Sequence, residues 1–227
     1  MKLLVRSMQD IYELVMFSSI FMGLTGMAML STSFIIQGIP LSVPPLLIMF
    51  LVPFSIYNLN RGTDEQEDSV NRFDRYTFTK RFGKTLFKAA VLAYMSAMIL
   101  AFYIGIPVLI LVSIPLILGI LYSLRLLPWS CRYRRLKEIP LMKNLVVGFS
   151  WAILTAFLPP FATSNAHLFG AWICLVFFFS YVFIGSIVPD IRDREGDALA
   201  GIITIPVLIG PEKSGRLMSG INFVIGT

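Results

Sequence analysis

The sequence predicts an all-α membrane protein: a polytopic transmembrane helical bundle with about six full spans. First, 56% of its 227 residues are hydrophobic and only 14% are charged, whereas soluble domains carry about 25% charged residues. Second, no Asp, Glu, Lys or Arg occurs in 14–60, 89–124 or 144–189. Each stretch can hold two spans of roughly 20 residues. Because lipid offers no partners to backbone groups, these spans are predicted to be helices.

Each charge-free stretch contains a turn signal that divides it into a helical hairpin. Gly, Pro and Asn residues mark these turns near 37–41, 105–107 and 159–167. A cleaved signal peptide before a soluble domain is excluded, because apolar stretches recur along the whole chain. The predicted hairpins are 14–36 with 41–60, 85–104 with 107–124, and 145–161 with 168–189.

The basic residues predict the orientation in the cell membrane. All 19 Lys and Arg residues lie at positions 2 and 6 or within 61–88, 125–143 and 192–216. Threading six spans puts these groups on one side of the membrane, which the positive-inside rule identifies as cytoplasmic. The N-terminus and the charged loops are therefore predicted to be cytoplasmic. This topology accounts for the net charge of +6, so no nucleic-acid partner is implied.

Nine of the 13 acidic residues lie in two short stretches, at the predicted cytoplasmic ends of the second and sixth spans. In each stretch three oxygen-bearing side chains recur three or four residues apart, so they are predicted to share one face of a helix. Carboxylates at a membrane boundary are costly and usually functional. The six residues are Asn60, Asp64 and Asp68 in the first stretch, and Asp190, Asp193 and Asp197 in the second.

Two facing carboxylate stripes are typical of a magnesium site that binds a diphosphate. Mg²⁺ takes one or two carboxylates and shares its other positions with water and phosphate oxygens. It neutralises the charge that develops on a departing diphosphate. One acidic cluster alone would more simply solvate a helix end, but two on the same membrane face favour a site. Nearby basic residues that could complete the anion site are Arg61, Arg72, Arg75, Lys137 and Lys143.

These motifs resemble those of the UbiA-type prenyltransferase superfamily. Residues 60–68 match its N-x-x-x-D-x-x-x-D signature, and 71–75 look like the N-R-P-x-R segment, with Phe73 in place of proline. Residues 190–197 resemble the second aspartate motif of the family. They continue into 201–210, which is similar to the family's G-I-x-T-x-P-x-x-x-G run.

The resemblance implies a membrane enzyme whose helices surround a central cavity, with Mg²⁺ and a prenyl diphosphate donor bound at its cytoplasmic mouth. The allylic diphosphate would ionise, and an aromatic or lipid acceptor would attack the prenyl cation within the apolar cavity. The five aspartates would be catalytic. Asn60 and the aspartates would hold the metal ions. The implied substrate-binding residues are Asn60, Arg72, Arg75 and Lys143.

The resemblance also implies nine spans, whereas only eleven residues follow Arg216, too few to cross a membrane. Residues 1–227 are therefore expected to form a single UbiA-like prenyltransferase domain with six full spans and a truncated seventh, incomplete at its C-terminus. An open bundle would admit water to the carbocation, so little or no turnover is expected from this chain alone.

Other functions remain open. A terpene cyclase or diphosphate hydrolase would use the same metal site without an acceptor. A cation-binding channel or transporter is disfavoured, because its carboxylates would lie near the membrane midplane. An inactive fragment could still bind metal. The motifs do not determine the acceptor: a quinone precursor, a glycerol-phosphate lipid, a tetrapyrrole and a sugar phosphate all remain open. The tetrapyrrole is disfavoured, because residues 72–77 do not match the R-T-x-x-R-P run of the heme-directed members.

Overall fold

A computed structural model of the chain describes residues 11–63, 65–126, 128, 133–163 and 168–226, with the side chains of 65–67 left undescribed. Within this part of the chain the regular elements are all helical. A short 3₁₀ helix lies at Leu136–Glu138. The α-helices are α1 (Ile11–Phe17), α2 (Ile20–Ile36), α3 (Val43–Asn60), α4 (Glu65–Asn71), α5 (Phe73–Ile104), α6 (Ile106–Ser123), α7 (Met142–Ala162), α8 (Phe169–Leu199), α9 (Ile205–Ile209) and α10 (Pro211–Gly226).

The predicted all-α architecture is confirmed. Five of the described helices, α3, α5, α6, α7 and α8, are long and apolar enough to cross a membrane, and α1 with α2 makes a sixth span if this bent pair is counted as one. The predicted turn at 105–107 is a single residue, Gly105, between α5 and α6. Its φ of 154° is one that glycine adopts readily.

The first predicted span, 14–36, is broken rather than continuous. The chain bends by 64° between α1 and α2, and Ser19 at the break has a left-handed φ of 66°. The amide of Asn58 in α3 holds this break, because its Nδ2 donates a hydrogen bond of 2.8 Å to the Ser18 carbonyl oxygen. Hydropathy could not reveal the break, since both sides of it are apolar.

Two helices extend well beyond their predicted spans. Helix α5 begins at Phe73 rather than 85 and has 32 residues, and α8 continues past 189 to Leu199 and has 31 residues. The extensions carry the charged residues that ended the predicted spans. Charged residues keep a segment out of lipid, but they do not prevent the backbone from continuing as a helix. Each of these helices therefore extends beyond the apolar layer.

Small residues allow the helices to pack closely. A Cβ atom added at Gly26 of α2 would lie 2.3 Å from the carbonyl oxygen of Met49 in α3, so only glycine permits this approach. Such small-residue contacts are typical of helix pairs in membranes. Buried side chains from α2, α3 and α5–α8 form one core, which includes Leu30, Phe34, Ile48, Val112 and Leu158.

The predicted helical stripe through the first acidic motif is wrong. Helix α3 ends at Asn60, residues 61–63 form a turn, and α4 begins at Glu65. The turn is closed by the Thr63 N–H, which donates to the Asn60 carbonyl oxygen at 3.0 Å. The hydroxyl of Thr63 donates to the same oxygen at 2.7 Å, a local bond that competes with helix continuation. In the second motif the predicted helix is confirmed within α8.

Candidate active site

A cavity of about 700 Å³ opens among α1–α8 and collects both acidic motifs at its polar mouth. Eight of the nine predicted site residues line it, and the ninth, Asp64, lies outside the described residues. The eight residues are Asn60, Asp68, Arg72, Arg75, Lys143, Asp190, Asp193 and Asp197.

Helices α7 and α8 hold the second motif. The Nζ atom of Lys143 lies 2.9 Å from Asp190 Oδ1 and 2.9 Å from Asp197 Oδ2. Asp190 is only 3% exposed and Asp197 only 2%, so both carboxylates need a partner in place of water. Asn144 supplies another, since its Nδ2 donates to Asp190 Oδ2 at 2.7 Å. Asp193 is partly exposed and is paired with Arg192 at 2.6 Å.

Helices α3 to α6 hold the first motif. Asp68, 4% exposed, forms an ion pair with Arg75 in the first turn of α5. The Asn60 amide oxygen accepts a hydrogen bond of 2.7 Å from Ser123 Oγ at the end of α6. The Nε atoms of Arg72 and Arg75 are buried, and within the described part of the chain they have no hydrogen-bond partner. Buried N–H donors without partners are costly, and an anion bound in the mouth could supply the acceptors.

The two motifs meet where α4 packs on α8. Asn71 Nδ2 donates to the carbonyl oxygen of Asp193 at 3.3 Å. A Cβ atom added at Gly196 would lie 2.2 Å from Asn71 Oδ1, so glycine is required for this contact. The site residues predicted from the sequence do not include Asn71, Gly196 or Asn144. Each stands within a motif or beside a predicted site residue, but nothing in the sequence shows the contact that it makes.

The mouth of the cavity carries several positive groups close together. Burial, and then the neighbouring Arg75, lowers the pKa of Arg61 to about 10, while Asp68 opposes this effect. The pKa of Arg72 is also lowered, first by burial and then by the charges of Arg192 and Arg75. Arg61 remains charged near pH 7, since a pKa of about 10 lies roughly three units above that pH. The mouth therefore favours an anionic ligand.

The chemistry of these side chains fits a hard divalent cation. The donors are carboxylate and amide oxygens, the ligands that such cations prefer. Among the described residues, no three His, Cys, Asp or Glu side chains lie close enough to hold a metal ion by themselves. The donor set therefore fits a cation that completes its shell with water and ligand oxygens.

Below the mouth the cavity is apolar. Tyr57 and Trp151 pack edge to face in its wall, with ring centroids 6.3 Å apart. Apolar walls with a few polar groups at one end are typical of sites for amphipathic small molecules. Other lining residues are Met29, Met49, Val52, Ile56 and Leu154.

Two curated proteins that are similar to this chain have the same name. The chain is 31% identical over 193 residues to the digeranylgeranylglyceryl phosphate synthase of Methanosarcina mazei, covering 79% of this chain and 59% of that protein. It is 27% identical over 194 residues to the synthase of Pyrococcus furiosus, covering 83% of this chain and 65% of that protein. The chain thus spans less than two thirds of the length of these relatives.

A solved structure and a family model agree with these sequence matches. A structure from work on digeranylgeranylglyceryl phosphate synthase in membranes superposes with a TM-score of 0.66 at 16% identity, covering 96% of this chain and 75% of that one. That likeness establishes a shared fold. The model of the UbiA prenyltransferase family matches residues 17–226. The resemblance seen in the sequence is therefore confirmed: this multi-pass membrane chain belongs to the UbiA prenyltransferase family.

Proposed function

We propose that this chain carries the Mg²⁺ and prenyl diphosphate site of an enzyme that transfers a prenyl group to a lipid acceptor. The observation that carries the proposal is one cavity with acidic motifs and unpartnered guanidinium nitrogens at its mouth and apolar walls beneath. A prenyl diphosphate has the same polarity, with an anionic head and a long apolar chain.

The names of the relatives indicate the substrates. Their product is a glyceryl phosphate that bears two geranylgeranyl groups. The donor proposed here is therefore geranylgeranyl diphosphate, and the acceptor is a glyceryl phosphate that already bears one geranylgeranyl ether. The prenyl chains would lie between the Tyr57 and Trp151 side of the cavity and its methionine-lined wall.

The reaction exchanges one C–O bond for another. The bond between C1 of the donor and its diphosphate breaks, and the diphosphate leaves with the electron pair. The acceptor hydroxyl oxygen then forms the new ether bond to C1, and its proton leaves with the diphosphate. Bound Mg²⁺ would stabilise the negative charge of the leaving group.

The site residues have separate roles in this proposal. Asp68 and the aspartates of α8 would hold the metal ions, together with Asn60 and Asp64. Arg72 and Arg75 would bind diphosphate oxygens through their unpartnered N–H groups. Lys143 is held between Asp190 and Asp197, within reach of an anion bound beside them. The apolar walls would exclude water from the allylic cation.

The orientation proposed for the site is cytoplasmic. In this orientation the charged ends of α4, α5 and α8 would lie on the same side as the basic residues of 61–88, 125–143 and 192–216. The positive-inside rule assigns this side to the cytoplasm. A soluble diphosphate donor and magnesium would both be supplied from there.

The test is Mg²⁺-dependent binding of a thio-analogue of geranylgeranyl diphosphate to the purified protein. EDTA, Asp64→Ala and Asp193→Ala are each expected to abolish binding without preventing membrane insertion. Glu67→Ala is the matched control, because Glu67 is not one of the proposed metal ligands. This variant is expected to bind the thio-analogue normally. Binding that persists in EDTA and in both aspartate variants would refute the proposal, as would a Glu67→Ala defect equal to that of Asp64→Ala.

A further inference from the structure

Arg61 is a buried cation of the cavity that the proposed diphosphate site does not use. Its side chain lines the cavity, yet the residue is only 7% exposed. Its Nη1 atom is buried and has no hydrogen-bond partner among the residues that the structure describes. No described carboxylate forms an ion pair with it. Burying a guanidinium with an unused N–H donor costs free energy unless an anion pairs with the charge and accepts the hydrogen bond.

The described partner of Arg61 belongs to a different wall of the cavity. Its Nη2 atom donates a hydrogen bond of 3.0 Å to the hydroxyl of Ser19, at the break between α1 and α2. Arg75 and Lys143, in contrast, pair with motif carboxylates. Arg61 is close enough to Arg75 and Asp68 to feel their charges, but its described hydrogen bond goes to a helix break that contributes none of the proposed metal ligands.

The break at Ser19 is held in an unfavourable backbone conformation. Its φ of 66° is uncommon for a residue other than glycine. Asn58 maintains the break by donating to the carbonyl oxygens of Ser18 and Phe54, each at 2.8 Å. Strain of this kind persists only where the surrounding structure imposes it, and it is concentrated at functional sites. Here it places the Ser19 hydroxyl beside the Arg61 guanidinium.

We propose that Arg61 and Ser19 form a phosphate subsite that binds the head group of the acceptor lipid, apart from the donor diphosphate. This inference rests on the proposed function, in which both substrates are anionic. Two like-charged head groups repel each other, so each requires its own cations. A guanidinium matches two phosphate oxygens at once. The neighbouring wall includes Met16, Phe17, Phe21 and Met22, which suit the apolar chain of such a lipid.

The experiment measures binding of three probes separately by calorimetry on the detergent-solubilised protein. The probes are geranylgeranylglyceryl phosphate, the same lipid without its phosphate, and the donor thio-analogue with Mg²⁺. The variants are Arg61→Gln and Ser19→Ala. Arg81→Gln, which removes an exposed arginine that packs on Phe82, is the matched control.

Arg61→Gln is expected to weaken binding of the phosphorylated lipid about 10- to 100-fold, the factor for losing a charge-assisted hydrogen bond. Ser19→Ala should weaken it less and in the same direction. Binding of the phosphate-free lipid should match the wild type in both variants, which also establishes that they are folded, and binding of the donor analogue should change far less than binding of the phosphorylated lipid. Arg81→Gln should leave all three probes unchanged.

The three probes separate failure of the Arg61 subsite from failure of the proposed function. If Arg61→Gln weakens the donor analogue as much as the phosphorylated lipid, Arg61 belongs to the diphosphate site and the inference is wrong. The inference is also overturned if the wild type binds the donor but does not distinguish the lipid with phosphate from the lipid without it. Absence of donor binding in the wild type refutes the proposed function itself.

Discussion

Gly196→Ala should separate the two acidic motifs while leaving their side chains intact. Gly196 lies on the face of α8 that receives Asn71 from α4. An added methyl group would lie 2.2 Å from Asn71 Oδ1, 2.4 Å from Nδ2 and 2.5 Å from Cγ. Asn71 must therefore move, and the hydrogen bond that it donates to the Asp193 carbonyl oxygen is lost. Because Asp68 lies on the same short helix as Asn71, the first motif should shift with it.

The expected stability change is the balance of two opposing effects. Overpacking a well-filled contact costs about 1–3 kcal/mol. Replacing Gly by Ala within a helix contributes about 1 kcal/mol in the opposite direction. The net loss should therefore be about 0–2 kcal/mol. Gly185→Ala in the same helix has nothing within 4 Å of the new methyl group, so it should show the helix-propensity gain alone.

A double-mutant cycle isolates the clash from other effects. Asn71→Ala alone should cost little, since the hydrogen bond it removes is long at 3.3 Å. The double variant Gly196→Ala/Asn71→Ala should be more stable than Gly196→Ala, with a coupling of about 1–2 kcal/mol. Thermal unfolding in detergent gives the stabilities, and Mg²⁺-dependent binding of the donor thio-analogue reports motif alignment. Strictly additive stabilities, together with full donor binding by Gly196→Ala, would refute the reasoning.

Two further variants test other contacts. Lys143→Met leaves Asp190 and Asp197 buried without their cation and should lower the free energy of unfolding by about 3–5 kcal/mol. Added Mg²⁺ should recover part of that loss in thermal melts, with the exposed Lys88→Met unaffected, and equal melting of Lys143→Met and wild type would contradict this. Gly26→Ala places a methyl group 2.3 Å from a backbone oxygen of Met49 and should cost about 1–3 kcal/mol. Gly119→Ala, whose nearest neighbour is 3.8 Å away, should be tolerated in the same assay, and equal losses would exclude the close α2–α3 contact.

The membrane class and the grouping of the acidic residues could be predicted because each depends on residue types at particular chain positions. Charge-free stretches such as 89–124 can be assigned to lipid without knowledge of their neighbours. The aspartates of 190–197 lie on one helix, so their spacing alone predicts a shared face. Their meeting with Asp68 was predicted through the family resemblance, since sequence spacing carries no information on which spans are adjacent.

The path of the backbone through the first motif could not be predicted by spacing. Asn60 and Asp68 fit a helical period, but Thr63 bonds back to Asn60 and a turn separates α3 from α4. The two residues are instead brought to one cavity by tertiary contacts. Asn60 is held by Ser123 of α6, and Asp68 is held by Arg75 of α5.

Composition and the distribution of charge along the chain are enough to establish a bundle of membrane helices, and they predict that its acidic and basic residues lie at one face. Those properties follow from the cost of placing charge in lipid, which depends on each segment alone. The tertiary structure decided which partner each charged group has. Lys143 bridges Asp190 and Asp197, Gly196 admits Asn71, and the broken first span brings Ser19 to Arg61. These contacts join residues distant in the chain, so they depend on how helices pack rather than on any local pattern.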